Sequence, residues 1–481
     1  AKTLFPYTTL FRSPQWFIKV LDKKEELKQK AAQCNWYPDY MKVRIDQWID
    51  GLSWDWCISR QRFFGVNFPV WYSKRVGEEG KILVADVDQL PCDPNVDLPK
   101  GYSRDEVTAE TDIMDTWATS SISPQLSSKG ISDDISFDRD RHNKLFPADL
   151  RPQAHEIIRT WAFYTIAKSL LHQNSIPWKN LMISGWCLAA DKTKMSKSKG
   201  NVVTPTSLIE EKGSDIVRYW ASTSHLGADT AYSEEVFKIG QKLITKLFNA
   251  SKFASMNFAL LNESNVNSSI TESADLWILS KLHLTVKKAT ESFEQFEYAR
   301  AREAIEEFFW KDFCDNYLEI CKVRSYGLAA EKLAGIDFSD LQKEQIKAKQ
   351  LSAILTLKIC LNRILKLFAP FIPHVCEEIY STIFAEEFAK INSINARGNW
   401  PKFDEIIFDQ KAYDVGEEAL AVIFEVRKFK SEKNISMKVV VEKVIVSSKV
   451  DLFAIVEDLE NVCNAKKVEF VKSDNFVEIV A

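Results

Sequence analysis

A chain of 481 residues exceeds what one hydrophobic core can cover, so about two to four domains are expected. Its 46% apolar, 27% charged and 12% aromatic residues are those of a globular protein, and no run approaches the roughly 18 uncharged apolar residues of a membrane span, so a cytoplasmic protein without a membrane partner is expected. A formal net charge of −4 excludes a global pull on nucleic acid and leaves any RNA contact to local basic patches.

Within residues 1–13, Thr3-Leu-Phe-Pro-Tyr-Thr-Thr-Leu-Phe-Arg-Ser13 has neither the charged start nor the small-residue cleavage site of a secretory signal. They read as a translated adapter oligonucleotide, a non-native segment set aside from fold reasoning. From Gln15 to Asp50 the pattern is short and mixed: apolar Trp16 to Val20, a lysine-rich helix candidate, then a helix through Trp48. Next comes Trp54-Asp-Trp-Cys-Ile-Ser-Arg60-Gln-Arg62-Phe-Phe-Gly65, whose two arginines read by themselves as ordinary surface charges or as ties within a sheet. Residues 74–110 are rich in Gly, Asp and Pro, with a strand candidate at Lys81 to Ala85. Cys92 stands alone there, and one thiol cannot supply a tetrahedral site, so no metal is predicted.

Asp112-Ile-Met-Asp115-Thr-Trp117 follows as a strand end, and the Ser/Asp-rich tract 127–144 reads as an exposed loop. In Arg151-Pro152-Gln-Ala154-His-Glu156-Ile157-Ile158-Arg-Thr-Trp161, Pro152 and Glu156 are placed as helix-start signals, with an apolar face at 157, 158, 161 and 164. A helix N-terminus at this point can turn its amides toward a nucleotide. The strand-like run Leu181 to Ala190 then leads into Lys192-Thr-Lys194-Met195-Ser196-Lys197-Ser198-Lys199-Gly-Asn201. Four lysines in eight positions suit a mobile loop that converges on a polyphosphate, and equally a solvated charge run. Its setting between a strand and a helix with Thr204 as N-cap and Pro205 at the first position favours the nucleotide.

Past Trp220 the periodicity turns helical. Val236, Ile239, Leu243, Ile244, Leu247 and Phe248 predict one buried face; Ala304 to Phe309, Trp310 to Glu319 and Leu351 to Phe368 continue the mode, with turns near 265–273, 326–342 and 370–373. After Trp400-Pro401 a helix (413–430), a strand (439–446), a helix (451–463) and strands at 468–471 and 476–480 form a small α+β module. The cluster Arg427-Lys-Phe-Lys430 with Lys433 reads either as a solvated helix end or as a contact to a nucleic-acid backbone.

Lys194-Met-Ser-Lys-Ser198 matches, letter for letter, the signature loop of the class I aminoacyl-tRNA synthetases. The segments at 54–72, 112–121, 151–164 and 310–319 and the turn at 368–374 resemble the valine and isoleucine branch of that family. The resemblance implies a multidomain fold: the end of an editing insertion and connector at 14–50, the C-terminal half of an α/β Rossmann catalytic domain at 51–235, an α-helical anticodon-binding bundle at 236–402 and the α+β module at 403–481. It implies ligation of valine to tRNA(Val) through valyl-adenylate, with ATP and Mg2+ as substrate and a monomeric enzyme. Lys194 and Lys197 become the working charges on the polyphosphate, with Met195, Ser196 and Ser198 completing the ATP contact. Ala154 and Glu156 fall in the ribose and amino-acid site, where relatives often have Gly-x-Asp. Trp117, Ile157 and Trp161 match positions that line the valine pocket, and isoleucine enzymes resemble one another in having glutamine where this chain has Ile157.

None of the histidines at 142, 155, 172, 225, 283 and 374 sits in the family's His-x-Gly-His setting, and no editing domain is recognisable. The chain is therefore expected to be a C-terminal portion of a longer enzyme, inactive in adenylation alone. Two other readings stay open: an isoleucine enzyme, and a non-catalytic tRNA-binding protein built from synthetase parts.

Overall fold

The computed structural model describes residues 14–130, 138–261, 270–471 and 476–480; the segment 1–13 read as non-native lies outside them. The chain forms two compact units, one of Ala1–Trp186 with Leu226–Thr230, the other of Cys187–His225 with Ala231–Ala481. The expected boundaries at 50 and 235 are not those of the units.

In the first unit, strands Ala148–Ala154, Trp178–Ser184 and Asn35–Tyr37 form a parallel sheet with Trp178–Ser184 in the centre. Residues 35–37, expected in a connector, are thus part of this sheet. Leu181 and Ile183 point into a core shared with Trp36, Ile45, Ile158, Phe163 and Ile166. Helices Lys24–Gln33, Lys42–Asp50 and Phe163–Gln173 contribute to that core. Short antiparallel sheets occupy 59–114, pairing Ser59–Arg60 and Val66–Asn67 with Ile113–Met114, and Val70–Ser73 with Ile82–Val84 and Val107–Ala109.

Two helical expectations change here. Pro152 does not begin a helix; it lies in the outer strand Ala148–Ala154, where its missing N–H costs no central ladder bond. The helix starts after Ala154 with a 3-10 turn, His155–Ile157, and a π-helical turn, Ile158–Ala162, before Phe163–Gln173. Within the tract read as an exposed loop, Arg139–Leu145 is a helix capped by Asp138, and its His142 is buried against Ser128 and Gln173. Residues 131–137 of that tract lie outside the described ones.

The second unit is built on helices Glu234–Ser255, Ser273–Glu294, Tyr298–Glu307, Asp340–Phe368, Pro373–Ile383 and Gln410–Glu432. In Glu234–Ser255 the buried stripe is Phe237, Gly240, Leu243, Leu247, Ala250 and Ala254. Ile239 and Phe248, expected inside, are exposed, because the stripe is centred one residue away from the predicted one. Gly240 is part of it for steric reasons: a Cβ there would stand 2.8 Å from the Tyr219 ring. Asp340–Phe368 begins eleven residues before Leu351, started by a capping box between Ser339 and Gln342 inside the stretch read as a turn.

The C-terminal strand Lys443–Ser447 pairs in parallel with Val468–Phe470 and antiparallel with Phe476–Val480, with helix Val456–Cys463 between the parallel pair. Val444, Val446, Leu459 and Val468 join the same core as Trp277, Phe309 and Leu361, so the expected division at 402 separates no core from another. Arg324 ties the parts together, donating to both carboxylate oxygens of Asp275 at 2.8 and 2.9 Å and to Asp458 at 2.8 Å.

Candidate functional site

The parallel strands of the first unit end together: Ala154 is opposite Ser184, and Met182 opposite Tyr37. In open α/β sheets ligands bind beyond such carboxyl ends. His155 and Glu156 emerge from one strand there, and Gly185 and Trp186 from its neighbour. The Trp186 indole N–H donates to Glu156 Oε2 at 2.9 Å, and its ring lies 4.9 Å from that of His155. His155 Nδ1 is 3.3 Å from the Ser184 carbonyl oxygen. The exposed carboxylate of Glu156 is thus tethered rather than free to sweep solvent.

Of the three aromatic and aliphatic pocket candidates, Ile157 and Trp117 are half-buried and pack on the core that holds Trp161. Trp161 is 8% exposed, with the Arg151 guanidinium 3.6 Å over its ring and Trp178 stacked at 5.1 Å. The ring is thus packed against a cation and a second indole. Burial pushes the Arg151 pKa down, in keeping with a cation held over an indole. Arg60 pairs with the buried Asp115 at 3.1 Å and donates to the carbonyls of Ser59 and Cys57, so it ties local strands. Arg62 is exposed.

The lysine loop belongs to the second unit. The chain turns at Asp191, whose Oδ1 accepts from the backbone N–H and hydroxyl of Thr193. These bonds, with Lys199 nearby, lower the Asp191 pKa. Leu188 and Lys194 form an antiparallel bridge. Ser196 caps a single 3-10 turn, Lys197–Lys199, by accepting from the Lys199 N–H, and Gly200 at φ 67° closes it in the left-handed region. Asn201 clips the two ends: its Oδ1 accepts from Ser196 N at 2.9 Å and its Nδ2 donates to Thr193 Oγ1 at 3.1 Å and Lys194 O at 3.3 Å. Lys192, Lys194, Lys197 and Lys199 are all exposed, with Met195 and Ser196 half-buried. The helix Pro205–Lys212 follows with Thr204 at its N-cap.

Sequence reasoning passed over His155, Trp186 and Asn201 as site elements. Asn201 was visible as a turn residue, though not as a clip. Trp186 had only the break of the strand at Gly185 to mark it. The basic cluster at 427–433 is divided: Lys428 and Lys433 are exposed, whereas Arg427 and Lys430 are engaged within the fold. Arg427 donates to Asn316 Oδ1 and the Asp315 carbonyl, and Lys430 is buried, donating to the carbonyls of Met437, Val439 and Cys463. Among the described residues no group of three His, Cys, Asp or Glu side chains is placed to hold a metal ion.

Two family models match the chain: tRNA synthetases class I (I, L, M and V) over residues 8–233, and the anticodon-binding domain of tRNA ligase over residues 275–445. It is 52% identical to the valine--tRNA ligase of Rickettsia conorii over 474 residues, 97% of this chain and 56% of that protein. With the valine--tRNA ligase of Wolbachia sp. subsp. Brugia malayi it shares 50% identity over 460 residues, 95% of this chain and 51% of the relative. The chain belongs to the class I aminoacyl-tRNA synthetases. It spans about half the length of the curated relatives it matches.

Solved synthetases share the fold at low identity. The Mycobacterium tuberculosis methionyl-tRNA synthetase in complex with methionyl-adenylate aligns with a TM-score of 0.55 and 19% identity, covering 77% of this chain and 65% of that one. The ternary complex of an Agrobacterium radiobacter K84 LeuRS with tRNA and LeuAMS aligns at 0.53 and 21%, covering 73% and 43%. In this synthetase chain the lysine loop and the tethered Glu156 lie within the class I model, and the helices from Asp275 on within the anticodon-binding model. No helix among the described residues is long and apolar enough to cross a membrane.

Proposed function

We propose that this chain serves the ligation of valine to tRNA(Val). The observation that carries the reading is 52% identity to a valine--tRNA ligase across 97% of the chain, with the lysine loop intact. In the first step a valine carboxylate oxygen attacks the α-phosphorus of ATP, bound as its magnesium complex; pyrophosphate leaves and valyl-adenylate forms. Negative charge grows on the phosphate oxygens, and Lys194 and Lys197 offset it as cations on a loop that Ser196 and Asn201 hold in shape. Backbone and hydroxyl groups of Met195, Ser196 and Ser198 complete the contact. No side-chain nucleophile takes part.

Ala154 and Glu156 serve the ribose and amino-acid end at the carboxyl edge of the parallel strands. Trp117, Ile157 and Trp161 form the apolar wall for the valine side chain, and an aliphatic residue at 157 supports valine over isoleucine. In the second step a ribose hydroxyl at the tRNA 3′ end attacks the valyl carbonyl and AMP leaves. The helical unit supplies the tRNA-binding surface, in keeping with its match to an anticodon-binding domain.

The test replaces the matching segment of the Rickettsia conorii relative with this chain and measures aminoacylation. Charging of tRNA(Val) with valine is expected. Charging with isoleucine instead would assign the chain to the neighbouring specificity, and binding of tRNA without charging would make it a non-catalytic module.

A further inference from the structure

We propose that Trp186 is a positioning residue of the nucleotide site, and that by holding the Glu156 carboxylate it sets the preference of that site for ribose over deoxyribose. The proposal rests on the reading of the strand ends as an ATP site and adds a residue and a selectivity to it.

The geometry fixes Trp186 from several sides. Gly185 before it has no room for a side chain, since a Cβ would stand 2.2 Å from the Ala228 carbonyl oxygen. The Trp186 N–H donates to Asp229 Oδ1 at 2.8 Å, and its carbonyl accepts from the Thr230 N–H at 2.8 Å. Gly227, at φ 75°, donates its N–H to the Ile183 carbonyl, so segment 226–230 is laced along the end of the central strand. With its backbone held on both sides, the Trp186 side chain has a defined direction: across His155 and onto Glu156 Oε2 at 2.9 Å. His155 is steadied in turn against the Ser184 carbonyl.

What this arrangement does follows from the length of glutamate. An aspartate on a strand end has one torsion fewer between backbone and carboxylate, and an exposed glutamate samples several rotamers unless something selects one. The indole is a donor with no acceptor capacity, so it binds the ionised carboxylate and cannot compete with it for a sugar hydroxyl. A carboxylate held in one place accepts from a ribose hydroxyl at a set distance. An untethered one follows solvent and tells ribose from deoxyribose poorly. A bland alternative is that the bond merely stiffens the turn at 184–186.

The experiment uses this chain joined into the Rickettsia conorii relative, the parent chimera serving as wild type, and three probes: adenosine, 2′-deoxyadenosine and 3′-deoxyadenosine, with binding measured by ligand-observed NMR titration. Wild type is expected to bind adenosine about tenfold more tightly than at least one deoxy analogue, the worth of one hydrogen bond to a charged group. Trp186→Phe keeps the ring against His155 and removes the N–H, and should bring that ratio to within about twofold of unity. Glu156→Gln, a change on an exposed side chain, should do the same, and the double variant should lose nothing further. If wild type binds no adenosine, the ATP-site reading fails and the proposal with it. If wild type discriminates and Trp186→Phe discriminates equally, the reading stands and the proposal is overturned. Should Trp186→Phe lose its fold by circular dichroism, Glu156→Gln decides, and an unchanged ratio there overturns the proposal.

Discussion

Asp215 Oδ2 accepts the backbone N–H of Val375 at 2.8 Å, and its Oδ1 that of His374 at 3.1 Å. Helix Pro373–Ile383 has Ile372 at its N-cap, which offers no acceptor, and a proline at its first position. Asp215 therefore caps this helix from a distant part of the chain and places a negative charge at the positive end of its dipole. Asp215→Ala is expected to lower stability by about 1–2 kcal/mol and Asp215→Asn by less, read as shifts of the urea midpoint. An unmoved midpoint in Asp215→Ala would refute the cap.

Two buried carboxyls make stability fall as pH rises through the weakly acidic range. Burial pushes Asp312 and Asp458 up from 3.8 to about 6, against the opposing pull of Lys281 on the first and Arg324 on the second. A carboxyl whose folded pKa is raised binds more protons in the folded state. Its contribution is present below the unfolded value and is lost on the way up to the folded one. Asp312→Asn should therefore gain on wild type in thermal midpoint between about pH 4 and pH 6.5. A difference independent of pH would contradict this.

Lys430 tests the reassignment of the basic cluster. Its ammonium is buried among three carbonyl oxygens, one at the carboxyl end of helix Val456–Cys463, and burial pushes its pKa down. Lys430→Met leaves those carbonyls without their donor and should cost about 3 kcal/mol in a denaturation series. The exposed Lys428 should tolerate the same change within about 0.5 kcal/mol. Equal losses would return Lys430 to the surface.

Trp161→Ala removes a ring packed between Arg151 and Trp178 and should cost about 3–5 kcal/mol, so it reports on the core before it reports on a pocket. Ile157→Ala is the cleaner probe of selection because that side chain is only half-buried. In the chimera with the Rickettsia relative it should weaken the preference for valine over isoleucine, which one methylene limits to about 1–3 kcal/mol. Unchanged selection would place Ile157 outside the pocket.

Much of this was legible in the sequence because the signals were local. The lysine loop, the Thr204-Pro205 helix start, the Pro370 to Pro373 turn and the alternation of the last module each depend on neighbouring residues, and the structure places them close to where they were read. The misses are tertiary. Strand Asn35–Tyr37 is held by partners about 145 residues away, and the one-residue offset of the Glu234–Ser255 stripe is set by Tyr219 against Gly240. The π-helical run Phe308–Tyr317 has no period of its own to betray it, since its inward residues also fit an α pattern. Of the site, the loop lysines were visible as charges, whereas the bond from Trp186 to Glu156 joins residues 30 apart that meet only because two parallel strands end in register.

The lysine loop of this chain is proposed to work on ATP in valine activation. Valine-dependent ATP–pyrophosphate exchange by the chimera, with and without Lys197→Ala, tests it most directly. The variant is expected to exchange about 10²- to 10³-fold more slowly at nearly unchanged stability, because an exposed loop lysine anchors no core. Exchange at the parent rate in the Lys197→Ala chimera would contradict the account.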